Sequence, residues 1–92
     1  MSEFRKTVTI TNNRGLHARA SAKFVTYVSK LPAHLSVKVV KDGVEVTGTS
    51  IMGLMMLGAA KGDNIEIVVA GDHAASALEK LTGLVVDGFG ED

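Results

Sequence analysis

The 92-residue chain contains no cysteine, one proline and few aromatic side chains. Without cysteine it has neither a disulfide framework nor a thiolate metal cluster, and it lacks a thiol nucleophile. One proline, three Phe and one Tyr argue against a proline-rich adaptor and against an aromatic platform for stacked bases. Ten basic and ten acidic residues give a formal net charge of zero, which excludes the basic excess of a general nucleic-acid binder.

Long apolar runs are also missing. The start of the chain, residues 1–6, has no apolar segment of the kind found in signal peptides. The longest apolar candidate, residues 51–60, is interrupted by Gly53 and Gly58 and is shorter than the ~20 residues needed to cross a bilayer. We therefore expect a cytoplasmic monomer without membrane insertion. The length predicts a single domain over residues 1–92.

Alternation of apolar and polar residues predicts four strands, at residues 7–11, 35–39, 44–46 and 65–69. The sequence Asp42-Gly43 between the second and third strands is typical of a tight hairpin. The other face of each strand carries polar residues, which predicts that one face of the sheet contacts water. These positions are Thr7, Thr9, Thr11, Ser36, Lys38, Glu45 and Glu66.

Three segments have the character of helices. Apolar residues at helical spacing predict a helix from Ala18 that stops at Pro32. A short apolar helix is expected over residues 51–57, closed by Gly58 in a left-handed conformation. A last helix around residues 78–85 is expected to have Asp72 as its N-cap and to fray over residues 88–92. The order β-α-β-β-α-β-α predicts a two-layer α+β fold, with helices on one face of the sheet.

Of the three histidines, His17 is the candidate for chemistry. His34 is expected to be an exposed loop side chain, and His73 a polar ring whose nearby carboxylate, that of Asp72, explains it. No pair has the spacing of metal ligands, so we expect no metal and no cofactor. His17 lies where a turn ends and a helix begins, and unpaired N–H groups at a helix start attract anions. A neutral imidazole there can act as a nucleophile, with Arg19 placed to receive the charge of a phosphoryl group. The alternative is that His17 merely precedes the helix and Arg19 is a solvated surface charge.

The segment from Ser50 to Leu57 contains three methionines, more than a short helix needs for its buried stripe. Met is overused at surfaces that meet several partners, so an interaction patch is one interpretation. Core packing is the other, and at least two of Ile51, Leu54, Met55 and Leu57 must be core. Ser50 is either a plain N-cap or a site of phosphorylation. No acidic residue lies within several positions of His17, so the sequence near it offers no catalytic base.

The motif Gly15-Leu16-His17-Ala18-Arg19, together with Ser50-Ile51-Met52-Gly53, resembles the HPr family of histidine-containing phosphocarriers of the bacterial phosphotransferase system. The resemblance covers essentially the whole chain. It implies an open-faced sandwich with an antiparallel sheet in the order 1-4-2-3 and three helices on one side. Because the two motifs occur together at this separation, the resemblance is far more specific than either motif alone.

The resemblance also implies a phosphoryl cycle and the residues that serve it. Enzyme I would phosphorylate His17 on Nδ1, and the group would pass to enzyme IIA domains, so the protein would be a carrier and not an enzyme. Arg19 would assist the transfer, with the backbone N–H groups of Ala18 and Arg19 binding the phosphate. Ser50 would be the target of an HPr kinase/phosphorylase, and the patch that docks on the partners would comprise Ile51, Met52, Leu54 and Met55.

One position departs from the family pattern, which commonly has proline after the arginine where this chain has Ala20. Alanine leaves one more free N–H and a less rigid first turn, so the transfer rate or the phosphohistidine lifetime would change while the site survives. Three alternatives to a sugar-system carrier remain open at this point. They are a nitrogen-related paralogue, a small acyl-phosphate hydrolase and a protein-binding module that is never phosphorylated.

Overall fold

The computed structural model describes residues 3–91. Its strands are β1 (Glu3–Thr9), β2 (Ser36–Lys41), β3 (Val44–Thr47) and β4 (Asn64–Ala70). Its helices are α1 (Ala18–Ser29), α2 (Ile51–Met56) and α3 (Ala74–Val86), followed by a 3₁₀ turn at Gly88–Gly90. The predicted element order is confirmed, although β1 begins and ends earlier than its alternating pattern indicated.

The four strands form one antiparallel sheet in the order β1-β4-β2-β3. Pairs such as Val8 with Ile65 and Val39 with Ile67 place apolar side chains on the face that the helices cover. The hairpin between β2 and β3 turns at Asp42 and Gly43, with φ of 51° and 80°. Both residues therefore have the positive φ that a tight hairpin turn requires, and the prediction from this dipeptide is confirmed.

The core lies between this sheet and the three helices. Phe24 of α1, Leu54 of α2 and Leu81 of α3 are fully buried against strand residues such as Ile67. The opposite face of the sheet presents the predicted polar side chains of the strands to water, with Glu66 half-buried and the others exposed. The prediction is wrong for Thr11, which follows β1 and whose hydroxyl donates to the carbonyl of Val86 at the end of α3 at 3.2 Å. Among the described residues, no helix reaches the length and hydropathy needed to cross a bilayer.

Two predictions about the last helix are wrong. Asp72 is not its N-cap, because Gly71 and His73 both have positive φ, 124° and 65°, and the turn they form places His73 at the cap without a side-chain capping bond. The segment after α3 does not fray, since its Phe89 is buried in the core at 1% exposure. Asp92, the last residue of that expectation, lies outside the described residues.

Candidate functional site

His17 is the N-cap of α1, at the junction where the sequence predicted a helix start. Its Nδ1 accepts a hydrogen bond from the backbone N–H of Arg19 at 3.3 Å, and its carbonyl accepts from the N–H of Ser21 at 2.9 Å. Of the N–H groups that precede this first helical bond, that of Arg19 is capped by Nδ1, whereas those of Ala18 and Ala20 have no backbone acceptor within the helix. The Nδ1 lone pair therefore lies at the positive end of α1, where an anion is favoured.

The turn before His17 is held by a close approach to the loop after α2. The N–H of Leu16 donates to the carbonyl of Ala59 at 2.9 Å. Gly15 has a φ of 61°, and a Cβ on it would lie 2.1 Å from the carbonyl oxygen of Ala59. Only glycine combines this backbone conformation with this contact. Gly15 therefore positions the backbone from which the His17 ring projects.

The other ring nitrogen of His17 meets a residue from the far end of the chain. Its Nε2 lies 2.6 Å from Oε2 of Glu91, and Oε1 of Glu91 accepts from the side-chain amide of Asn12 at 3.0 Å. Asn12 is 2% exposed, and its amide also donates to the carbonyl of Gly15 at 2.8 Å. The sequence near His17 offered no acidic partner, and the fold supplies one across 74 residues.

The environment of Glu91 favours its charged form. Partial burial acts to raise its pKa, but this effect is outweighed. The hydrogen bonds from Asn12 and His17, together with electrostatic attraction to His17 and Lys23, lower the pKa of Glu91 below its ordinary value of 4.5. Glu91 is thus a carboxylate near neutral pH and can only accept hydrogen bonds.

A surface cleft opens in front of the His17 ring. Its walls carry three cationic side chains, those of Arg14, Arg19 and Lys23, and one carboxylate, that of Glu91. Lys23 also donates to the carbonyl of Phe89 at 2.7 Å, which ties α1 to the C-terminal turn. Of these four residues, only Arg19 was predicted from the sequence. Lys23 lies one helical turn after Arg19 on the same helix, so the spacing of four residues could have found it.

The methionine-rich helix α2 presents most of its side chains to solvent. Ile51 and Met55 are about two-fifths exposed, and Met52 and Met56 are 69% and 80% exposed. Leu54 is fully buried, which corrects its assignment to the docking surface, because it contacts the core instead of a partner. Leu57 is also buried. At least two residues of this segment are therefore core residues, as predicted. We call Ile51, Met52, Met55 and Met56 the α2 patch.

Ser50 is the N-cap of α2, and its Oγ accepts from the N–H of Gly53 at 2.9 Å. It is half-buried and directly precedes the α2 patch. Since α2 packs against α1, the patch and the helix that carries His17 belong to neighbouring elements of the same layer. A modification of Ser50 would therefore place its charge beside the patch.

The remaining histidines do not join the site. His34 and His73 are both exposed, and His34 makes one ring contact, to the carbonyl of Asp72 at 3.3 Å. Within residues 3–91 there is no group of three or more His, Cys, Asp or Glu side chains that could hold a metal ion.

Fold and site together define a class of protein: a small open-faced sandwich that presents a histidine at a helix start on its surface. Comparisons with known proteins identify the class more closely. The family model described as the phosphotransferase system (PTS) HPr component phosphorylation site matches residues 4–87. The phosphocarrier protein HPr of Neisseria meningitidis serogroup A is 46% identical over 87 residues, or 95% of this chain and 96% of that protein.

Solved structures and a longer relative are similar to this chain as well. The crystal structure of a phosphocarrier protein HPr from Bacillus anthracis has a TM-score of 0.85 and 35% identity, and covers 92% of this chain and 99% of that one. The multiphosphoryl transfer protein of Haemophilus influenzae is 33% identical over 87 residues, which are 94% of this chain but 17% of that protein. The chain belongs to the HPr family, the phosphocarriers of the phosphotransferase system. The resemblance stated from the sequence and the strand order that it implied are confirmed.

Proposed function

We propose that His17 accepts a phosphoryl group on Nδ1 from phospho-enzyme I and passes it to enzyme IIA domains. The observation that carries this proposal is that the two ring nitrogens of His17 have different partners. Nε2 is engaged by Glu91, whereas Nδ1 lies over the start of α1 at the cleft with the cationic side chains. Nδ1 is thus the unprotonated nitrogen, held only by a long bond of 3.3 Å from the Arg19 N–H, at the place where an incoming phosphoryl group would be stabilised.

Two kinds of donor are available to the phosphoryl oxygens. The first-turn N–H groups, including those of Ala18 and Arg19, supply backbone donors, and the guanidinium groups of Arg14 and Arg19 supply charged ones. Arg19 and Arg14 are exposed, so they can reach a group on the ring without breaking a buried structure. These donors stabilise a phosphohistidine and leave it open to attack by the next acceptor.

We propose that the protein is a substrate and donor for other enzymes and has no turnover of its own. The His17 ring lies at a surface cleft, so a partner can bring its own reacting groups to it. The α2 patch gives partners an apolar surface beside the site, and exposed methionines adapt to more than one partner. Since enzyme I and the IIA domains are the partners proposed here, we also propose a cytoplasmic location.

The direct experiment incubates the protein with enzyme I and phosphoenolpyruvate and measures its intact mass. We expect a gain of one phosphate that is lost in acid, and no gain in His17→Ala. His34→Ala is the matched control, because it removes an exposed histidine outside the site. An unchanged mass in the wild-type protein, or a gain that persists in His17→Ala, would contradict the proposal.

We further propose that phosphorylation of Ser50 weakens docking. A phosphate adds about −1.5 to −2 charges beside the α2 patch, and this charge repels an acidic partner surface. Calorimetry of Ser50→Asp against enzyme I should show a higher Kd than the wild-type protein. Ser76→Asp adds the same charge on the exposed face of α3, so it controls for net charge. Equal Kd values for the two variants would refute the regulatory role.

A further inference from the structure

The C-terminal turn after α3 is packed against the rest of the fold. Gly88, Phe89 and Gly90 all have positive φ, and the Phe89 ring is buried in the core. The left-handed conformation of Phe89 is strained, and the burial of its ring offsets that strain. Lys23 holds the Phe89 carbonyl from α1. Glu91, which directly follows the Gly88–Gly90 turn, therefore reaches His17 from an anchored position.

The two hydrogen-bond partners of the His17 ring select the same tautomer. Because a carboxylate can only accept, the contact of 2.6 Å between Glu91 Oε2 and His17 Nε2 places the ring proton on Nε2. Because a backbone N–H can only donate, the contact from Arg19 requires a lone pair on Nδ1. Both contacts therefore leave Nδ1 without a proton, so Nδ1 is the nucleophilic nitrogen.

Asn12 fixes Glu91 in turn. Its amide nitrogen donates to the Gly15 carbonyl and to Glu91 Oε1, while its buried Oδ1 has no hydrogen-bond partner in the described structure. A flipped amide would direct Oδ1 at a carbonyl and a carboxylate, both of which are acceptors, so the observed orientation is the one allowed. The buried amide therefore orients the carboxylate as well as the turn that carries His17.

We propose that Glu91, oriented by Asn12, is a positioning residue for phosphoryl transfer at His17. The inference rests on the proposed function. In the step, Nδ1 gives up the hydrogen bond from the Arg19 N–H, and its lone pair forms a bond to phosphorus. The bond from phosphorus to the donor nitrogen breaks, and that electron pair leaves with the donor. The Nε2 proton stays in place, so the ring gains positive charge as the new bond forms. The Glu91 carboxylate compensates that charge through Nε2.

The charges around the ring make this compensation necessary. Arg14, Arg19 and Lys23 line the cleft and are positive, so they favour the phosphoryl group but oppose a positive ring. Glu91 is the acidic side chain among the residues of the described structure that line the cleft. The site therefore separates two tasks, with cations for the phosphoryl oxygens and one anion for the ring.

The test is Glu91→Gln, which keeps the shape of the side chain and removes its charge. With phospho-enzyme I as donor, we expect kcat to fall about tenfold with little change in KM, since a charge-assisted hydrogen bond is roughly twice as strong as a neutral one. Glu79→Gln removes an exposed carboxylate from α3 and should match the wild-type protein. A lower kcat at equal KM separates positioning from docking, because a docking residue would change KM.

A second measurement needs no phosphorylation, and its first part needs no variant. In ¹⁵N NMR spectra of the unphosphorylated wild-type protein, we expect a proton on Nε2 of His17 and no proton on Nδ1. In Glu91→Gln the Nε2 proton resonance should move upfield as the hydrogen bond weakens. An Nδ1 proton in the wild-type protein, an unchanged kcat in Glu91→Gln, or a change confined to KM would each overturn the proposal. If the wild-type protein accepts no phosphate, the proposed function fails, and the spectra still decide the pairing of Glu91 with His17.

Discussion

His17 Nε2 and Glu91 Oε2 lie 2.6 Å apart, although 74 positions separate the two residues in sequence. The contact joins the start of α1 to the last turn of the described chain. It leaves Nδ1 facing the N–H groups of the helix, so Glu91 determines which ring nitrogen of His17 carries no proton.

The pairing should depend on pH with a definite sign. Because the folded-state pKa of Glu91 is lowered, its contribution to the stability of the C-terminal turn is fully present above the ordinary value of 4.5. That contribution should be lost as the pH falls from this value through the lower folded-state pKa. NMR titration of the Glu91 carboxyl should show a lower pKa in the protein than in a peptide of residues 88–92. Equal values in the protein and the peptide would contradict the contacts described for Glu91.

Gly15→Ala should destabilise the protein by about 2–4 kcal/mol. An alanine there would combine a strained positive φ with a clash between its Cβ and the Ala59 carbonyl. Gly58→Ala is the matched control. Gly58 has nearly the same φ, 64°, but a Cβ there would meet nothing within 4 Å, so the cost should be about 1 kcal/mol. Urea unfolding of both variants measures the difference. Equal destabilisation would mean that the close approach at Gly15 is unimportant.

Arg19→Ala should slow phosphoryl acceptance by about 10-fold to 100-fold, since it removes a charged donor to the phosphoryl oxygens. Lys30→Ala removes a positive charge from the far end of α1, outside the cleft, and should leave the rate unchanged. Rapid-quench kinetics with phospho-enzyme I would measure both rates. A similar loss in both variants would indicate a general effect of charge instead of a contact with the phosphoryl group.

Truncation of the α2 patch should weaken docking. Met52→Ala and Met56→Ala should each raise the Kd for enzyme I about tenfold, as expected where a truncated contact costs more than 1 kcal/mol. Val86→Ala removes another exposed apolar side chain, at the end of α3, and should have no effect. Calorimetry can measure all three complexes. Kd values for the Met variants that match Val86→Ala would exclude the patch as a docking surface.

Local patterns predict the elements of this fold well. The β2–β3 hairpin follows from Asp42-Gly43, and the start of α1 follows from the turn before His17, because neighbouring residues decide both. Asp72 was the wrong cap because the choice of cap depended on the left-handed turn through Gly71 and His73, which residue type alone does not indicate. Leu54 was misplaced because a helix of six residues is too short for its periodicity to separate buried positions from exposed ones.

The triad of Asn12, His17 and Glu91 could not be predicted from spacing. Glu91 lies 79 residues from Asn12 and reaches it only because Phe89 is buried and reverses the chain after α3. The sequence between Gly88 and Asp92 has the composition of a loose end, with two glycines and two acids. Its one signal was Phe89, a large apolar side chain in an otherwise polar tail.

The central claim is that His17 carries the phosphoryl group on Nδ1. The most direct measurement is ¹⁵N and ³¹P NMR spectroscopy of the protein labelled at histidine and phosphorylated by enzyme I and phosphoenolpyruvate. We predict a single phosphorus signal coupled to Nδ1 of His17, with the proton retained on Nε2. Coupling to Nε2, or to a nitrogen of His34 or His73, would contradict the account.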